Sequence, residues 1–124
     1  MESRLEKVKH TPKSPEKLAS AIRENLCVVI KISASWCGPC KNKHFLESYG
    51  KLKEKYNQSP NIKFYELDID NDSHLLDDKD YYDIIVDSVP TFLVSKNGNF
   101  TKKFEGIDHI DTINKYLQHA IQHG

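Results

Sequence analysis

The apolar run that begins at Cys27 limits the possible folds more than any other segment of the sequence. Five of the seven residues 27–33 are apolar, and most of these are β-branched. A half-exposed strand alternates apolar and polar residues, whereas a strand buried on both faces is a continuous apolar run. We therefore expect a central strand with helices packed on both faces of its sheet.

The rest of the chain predicts strands and helices that alternate around this central strand. Local signals are Ser14 before Pro15 at a helix start, Asp108 as the cap of the last helix, and the hairpin turn Asn97-Gly98. We expect strands at residues 3–10, 27–33, 62–69, 91–95 and 100–104, and helices at residues 14–26, 37–56, 75–86 and 110–121. The order β-α-β-α-β-α-β-β-α predicts an α/β fold with one mixed sheet, in a single domain over residues 1–124.

Composition excludes several classes of protein. The 18 basic and 18 acidic residues cancel, so we expect no nonspecific binding to nucleic acid. No apolar stretch approaches the roughly 20 residues of a membrane helix. The N-terminal residues also lack the apolar core of a secretory signal. These features predict a cytoplasmic protein that does not contact a membrane.

Acidic residues are concentrated in one part of the chain. Residues 66–87 hold nine Asp and Glu residues and only one Lys or Arg residue, Lys79. The segment is either a solvated acidic face or a surface that selects basic partners.

Two of the three cysteines form the motif Cys37-Gly38-Pro39-Cys40, and the third is Cys27. A CxxC motif indicates redox chemistry or a metal site. A structural zinc site needs four ligands, and only His44 is near enough in sequence to join the pair. We therefore expect no metal and no cofactor. Cys27 is interpreted as a buried apolar residue, with a regulatory thiol as the alternative.

The spacing of the two cysteines suits disulfide chemistry. A helix starting at Cys37 places both sulfurs on one face, close enough to bond. The unpaired N–H groups of its first turn favour a thiolate and lower the Cys37 pKa. Cys37 is thus the expected nucleophile, and Cys40 is the residue expected to resolve the mixed disulfide.

The residues around this motif resemble the thioredoxin family over about residues 3–121. The resemblance rests on Trp36 to Lys41, residues 28–30, 33–35 and 64–70, Val89-Pro90-Thr91, Lys96-Asn97-Gly98 and Gly106. It implies the thioredoxin fold and a thiol–disulfide oxidoreductase that reduces protein disulfides. The implied partners are disulfide-containing proteins and, as electron donor, a thioredoxin reductase or glutathione. We expect a monomer.

The resemblance also implies roles for residues near the cysteines. Trp36 would shield the sulfurs. A cis Val89–Pro90 bond would bring the neighbouring backbone against Cys37, and the Val89 backbone would pair with an extended segment of the substrate. The alternative for Pro90 is an ordinary proline at a strand start. The other residues implied to bind substrate are Gly38, Pro39, Gly106 and Ile107.

Two positions depart from the family pattern. Lys31 stands where the family usually has a buried Asp that relays a proton to the second cysteine. We expect Lys31 to pair with Glu66 behind Cys40, and Glu66 to take the relay role. The alternative is that Lys31 extends to solvent and Glu66 is an ordinary strand residue. Phe45 replaces a proline that often kinks the active-site helix, which predicts a straighter helix.

Two other functions remain open from the sequence alone. One is a disulfide oxidase or isomerase of the same fold, although a Gly-Pro pair between the cysteines is associated with reduction in the family. The other is an interaction subunit that docks a partner through the acidic segment at residues 66–87.

Overall fold

The computed structural model describes residues 11–76 and 86–123. The predicted strand at residues 3–10 and most of the predicted helix at residues 75–86 lie outside these ranges. The described elements are helices α1 (Pro15–Glu24), α2 (Lys43–Tyr56) and α3 (Ile110–His123), and strands β1 (Cys27–Ser33), β2 (Ile62–Asp68), β3 (Thr91–Lys96) and β4 (Asn99–Glu105). Short 3₁₀ turns lie at Pro39–Lys41 and Ser73–Leu76.

The described strands form one mixed sheet in the order β2-β1-β3-β4. β1 pairs parallel with β2, and its register places Lys31 directly beside Glu66. β1 and β3 are antiparallel, as are β3 and β4. The mixed α/β sheet and the two-residue hairpin turn are therefore confirmed. Asn97 and Gly98 both have positive φ angles, which this type of hairpin requires.

The central strand is buried on both faces, as its apolar run predicts. Cys27 and Val29 belong to a core that packs against α2 and α3, and Val28 and Ile30 belong to a second core on the α1 face. All four are fully buried. The sheet is thus covered on both sides, and the end of β1 is a rigid place for a functional group.

Helix starts are confirmed at one position and corrected at two. Ser14 caps α1 by accepting a hydrogen bond from the Lys17 N–H. The last helix begins at Ile110, and the His109 carbonyl accepts its first bond, so His109 rather than Asp108 takes the cap position.

The predicted start of the second helix at Cys37 is wrong. Asn42 has an extended ψ of 125°, which separates a 3₁₀ turn from α2. Its side chain accepts a hydrogen bond from the Phe45 N–H and caps the new helix. Phe45 lies within α2, and the straightness of that helix stays a prediction.

Candidate active site

Cys37 and Cys40 form a disulfide just beyond the end of β1. Residues 34–36 lead from the strand to the pair, and the Cys37 N–H donates to the Ala34 carbonyl at 3.2 Å. This tight turn fixes the first cysteine relative to the sheet. The position of the two sulfurs is therefore set by the buried strand β1.

A backbone N–H group is directed at the first sulfur of the pair. The Cys40 N–H donates to the Cys37 Sγ at 3.1 Å. The Cys40 N–H belongs to a 3₁₀ turn of three residues. The sequence predicted that the N–H groups near Cys37 would come from the first turn of a long helix.

Both cysteines are nearly buried in the disulfide form. Cys37 is 3% exposed and Cys40 is 7% exposed. The reason is the segment that follows residue 86. The Val89 carbonyl oxygen lies 3.5 Å from the Cys37 Sγ, and the Val89 side chain packs against the pair together with Ile69.

The Val89–Pro90 peptide bond is cis, as the resemblance implies. The Pro90 carbonyl accepts a hydrogen bond from the Gly106 N–H at 2.8 Å. Gly106 has φ of 97°, a conformation that side chains disfavour. Ile107 follows Gly106, is half-buried, and lines a groove with Asn42 on the α2 side.

Trp36 stands out from the surface beside the disulfide. It is 66% exposed, and its indole N–H donates to the Asp70 carboxylate at 2.8 Å. Gly38 and Pro39 are also exposed. Asp70 is a partner that the sequence did not reveal, because the contact joins residues 34 positions apart.

Behind the disulfide, Lys31 and Glu66 form the expected ion pair. Lys31 Nζ lies 2.8 Å from Glu66 Oε1, and the two side chains are only 8% and 14% exposed. Lys31 therefore does not extend to solvent. Lys53 from α2 approaches the other carboxylate oxygen at 3.8 Å. Sequence reasoning missed Lys53, although a lysine within the apolar stripe of α2 was a visible signal.

The ring of Tyr49 lies between the two lysines. Lys31 Nζ is 4.9 Å and Lys53 Nζ is 5.0 Å from the ring centroid. The Tyr49 hydroxyl is buried and has no hydrogen-bond partner within residues 11–76 and 86–123. Burial and the Glu66 carboxylate raise the pKa of Tyr49 well above its usual range, so the phenol stays protonated.

A cavity of about 230 Å³ connects this charged cluster to the redox pair. Cys40, Lys31 and Glu66 line it, and Asp68 and Asp72 lie at the same cavity. The described part of the chain holds no group of three or more His, Cys, Asp or Glu residues placed to bind a metal. Within that part, no helix is long and apolar enough to cross a membrane.

Comparisons with known proteins agree with this geometry. The sequence model of the thioredoxin family matches residues 9–119. The chain belongs to the thioredoxin family. A relative named thioredoxin-1 from Saccharomyces cerevisiae is 33% identical over 94 residues, which cover 76% of this chain and 82% of that protein. Thioredoxin H5 from Oryza sativa subsp. japonica is 36% identical over 91 residues, 73% of this chain but 60% of that protein.

Solved structures show the same fold. A thioredoxin from Plasmodium falciparum superimposes with a TM-score of 0.64 at 28% identity, covering 94% of this chain and all of the other. A Trypanosoma brucei brucei thioredoxin reaches 0.70 at 24% identity, covering 98% and 97% of the two chains. Family membership and the Cys37–Cys40 pair make the protein a thiol–disulfide oxidoreductase. The interaction-subunit alternative has no comparable support.

Proposed function

We propose that the protein reduces disulfides in other proteins, with Cys37 as nucleophile and Cys40 as the resolving residue. The observation that carries this assignment is the Cys40 N–H directed at the Cys37 Sγ at 3.1 Å. Once the disulfide is reduced, an N–H group at this place would stabilise a thiolate on Cys37. The thiolate is the form that attacks a disulfide.

The reaction moves two electrons from the dithiol to the substrate. The Cys37 thiolate attacks one substrate sulfur, a mixed disulfide forms, and the other substrate sulfur leaves as a thiolate. Cys40 then loses its proton and attacks the Cys37 Sγ. This step closes the Cys37–Cys40 disulfide and releases the second substrate sulfur, and both substrate thiolates take up protons from solvent.

Residues around the pair would bind the substrate chain. Trp36, Gly38 and Pro39 are exposed beside the disulfide, and the backbone of Val89 and Pro90 lies next to Cys37. An extended segment of substrate pairs with the Val89 backbone in the manner of an added strand. Gly106 holds Pro90 in place by its hydrogen bond, and Ile107 extends the surface beyond it.

The electron donor we propose is a thioredoxin reductase or glutathione, and the protein acts as a monomer in the cytoplasm. The third cysteine, Cys27, is buried and free, which fits a compartment that keeps most thiols reduced. Reduction by a purified reductase with NADPH, compared with reduction by glutathione, identifies the donor.

Insulin reduction tests the proposed activity. Wild-type protein with dithiothreitol should speed the precipitation of reduced insulin chains, and Cys37→Ser should abolish the effect. The reduction potential separates a reductase from an oxidase or isomerase. A reductase should lie near −270 mV, and a value between about −180 and −120 mV would identify an oxidant. Absence of turnover in the wild type would refute the proposal.

A further inference from the structure

Three charged side chains are nearly buried beneath the redox pair, where β1, β2 and α2 meet. Glu66 accepts from Lys31 at 2.8 Å and faces Lys53 at 3.8 Å. Charged residues are rarely buried, because removing each ion from water costs several kcal/mol. Apolar side chains would fill this space at a lower cost in free energy of folding. The buried charges therefore suggest a functional role.

The carboxylate and the second cysteine share one cavity. Its volume of about 230 Å³ is many times the share of a single water molecule in the liquid, roughly 30 Å³. Glu66, Lys31 and the backbone turn at Ser33 to Ser35 supply polar groups along its wall. Such a cavity can hold water with two or more partners each, and Cys40 lies at the same wall.

We propose that Glu66 accepts the thiol proton of Cys40, through water in this cavity, when Cys40 attacks the mixed disulfide. This inference rests on the proposed function and assigns the proton of its second step. The proton passes from the Cys40 S–H to water and from water to the Glu66 carboxylate. The Cys40 thiolate then bonds to the Cys37 Sγ, and the substrate thiolate leaves. The Glu66 carboxyl later returns its proton to solvent.

Other groups near the cavity are poorer acceptors. Asp68 already accepts from the N–H groups of Asp70 and Asn71, and Asp72 accepts from the Asp68 N–H. Tyr49 is held in its protonated form by burial and by Glu66. Glu66 thus combines a carboxylate, near-burial and access to the same cavity as Cys40.

The two lysines are positioning residues. Lys31 is anchored from β1 and Lys53 from α2, so each carboxylate oxygen faces a cation on a different element. Thr11 fixes the strand at the same place, since its hydroxyl donates to the Glu66 carbonyl at 2.9 Å. The carboxylate is therefore held in one orientation, with one oxygen turned towards each lysine.

Single-turnover kinetics with a disulfide substrate separate the two steps. In Glu66→Gln, mixed-disulfide formation at Cys37 should keep its wild-type rate. Resolution near pH 7 should slow by about 100-fold, the lower range for general base catalysis. The pH profile is the readout that a structural role would not move. Resolution by Glu66→Gln should rise about tenfold per pH unit until Cys40 ionises, because only its own thiolate can then react.

Asp72→Asn is the matched control, because it removes a carboxylate at the same cavity and should leave the resolution rate within about threefold of wild type. If Glu66→Gln does not fold, the double variant Lys31→Met/Glu66→Gln replaces it in the kinetic test, because it leaves no unpaired charge at residue 31. The double variant should show the same slow resolution. Wild-type resolution in a folded Glu66 variant, or equal slowing of formation and resolution, would overturn the relay. Failure of wild-type protein to form any mixed disulfide would instead overturn the proposed function.

Discussion

Replacing Lys31 by Met should destabilise the oxidised protein by about 2–3 kcal/mol. The substitution keeps a similar length and apolar stem but removes the cation 2.8 Å from the Glu66 carboxylate. At an effective dielectric constant of about 20, unit charges at this distance attract by about 6 kcal/mol. Part of this loss is returned, because a buried ammonium no longer has to be removed from water.

Lys53 limits the damage. It remains 3.8 Å from the carboxylate, where the same treatment gives an attraction of about 4 kcal/mol. The cost should therefore lie just below the 3–5 kcal/mol usual for breaking a buried pair. For a chain of this length, that loss corresponds to a fall in Tm of about 8–12 °C.

A double-mutant cycle isolates the pair itself. Urea unfolding of the disulfide form, followed by circular dichroism, should be measured for Lys31→Met, Glu66→Gln and the double variant. The double variant should lose at least 1.5 kcal/mol less, in rough terms, than the two single losses added together. Additive losses, agreeing within about 0.5 kcal/mol, would show that the two charges do not interact and would refute the reasoning.

Three further predictions concern residues around the site. Tyr49→Phe should stabilise the protein by about 1 kcal/mol, because it removes a buried hydroxyl without a described partner. Tyr56→Phe should instead destabilise the protein by about 1 kcal/mol, because the hydrogen bond to Asn114 is lost. Urea unfolding measures both changes. Trp36→Phe should change stability by less than about 1 kcal/mol but raise the KM for insulin severalfold, and an unchanged KM would contradict its docking role. Cys27 should resist iodoacetamide in the folded protein, since burial raises the pKa of its thiol. Folding stability should fall as pH rises through the pKa of the unfolded thiol, near 8.5 in rough terms, because the unfolded chain then loses this proton first. Rapid labelling of Cys27 at pH 8 would contradict this.

Patterns confined to one segment allowed most of the fold to be predicted. The run at residues 27–33 predicted a strand buried on both faces, and Asn97-Gly98 predicted the hairpin turn. The pairing of Lys31 with Glu66 followed from placing two strands side by side. The physical reason is that a charge within a buried strand needs a partner on the neighbouring strand.

The features that the sequence did not show depend on contacts between distant segments or on small backbone differences. Residues 37–42 have a helix-like pattern, but the choice between a continuous helix and a 3₁₀ turn ending at Asn42 depends on a few dihedral angles. Lys53 and Asp70 join the site only because the folded chain brings them to Glu66 and Trp36. The burial of Cys37 likewise comes from Val89, 52 residues away.

Trapping the mixed disulfide tests the central claim most directly. Reduced Cys40→Ser cannot resolve the intermediate, so incubation with a disulfide substrate should give a stable covalent adduct. Peptide mapping by mass spectrometry should place this adduct on Cys37, and Cys37→Ser should form none at a comparable rate. The opposite result would be an adduct on Cys40 in the Cys37→Ser variant, with no adduct on Cys37 in the Cys40→Ser variant. That result would contradict the assignment of Cys37 as the nucleophile.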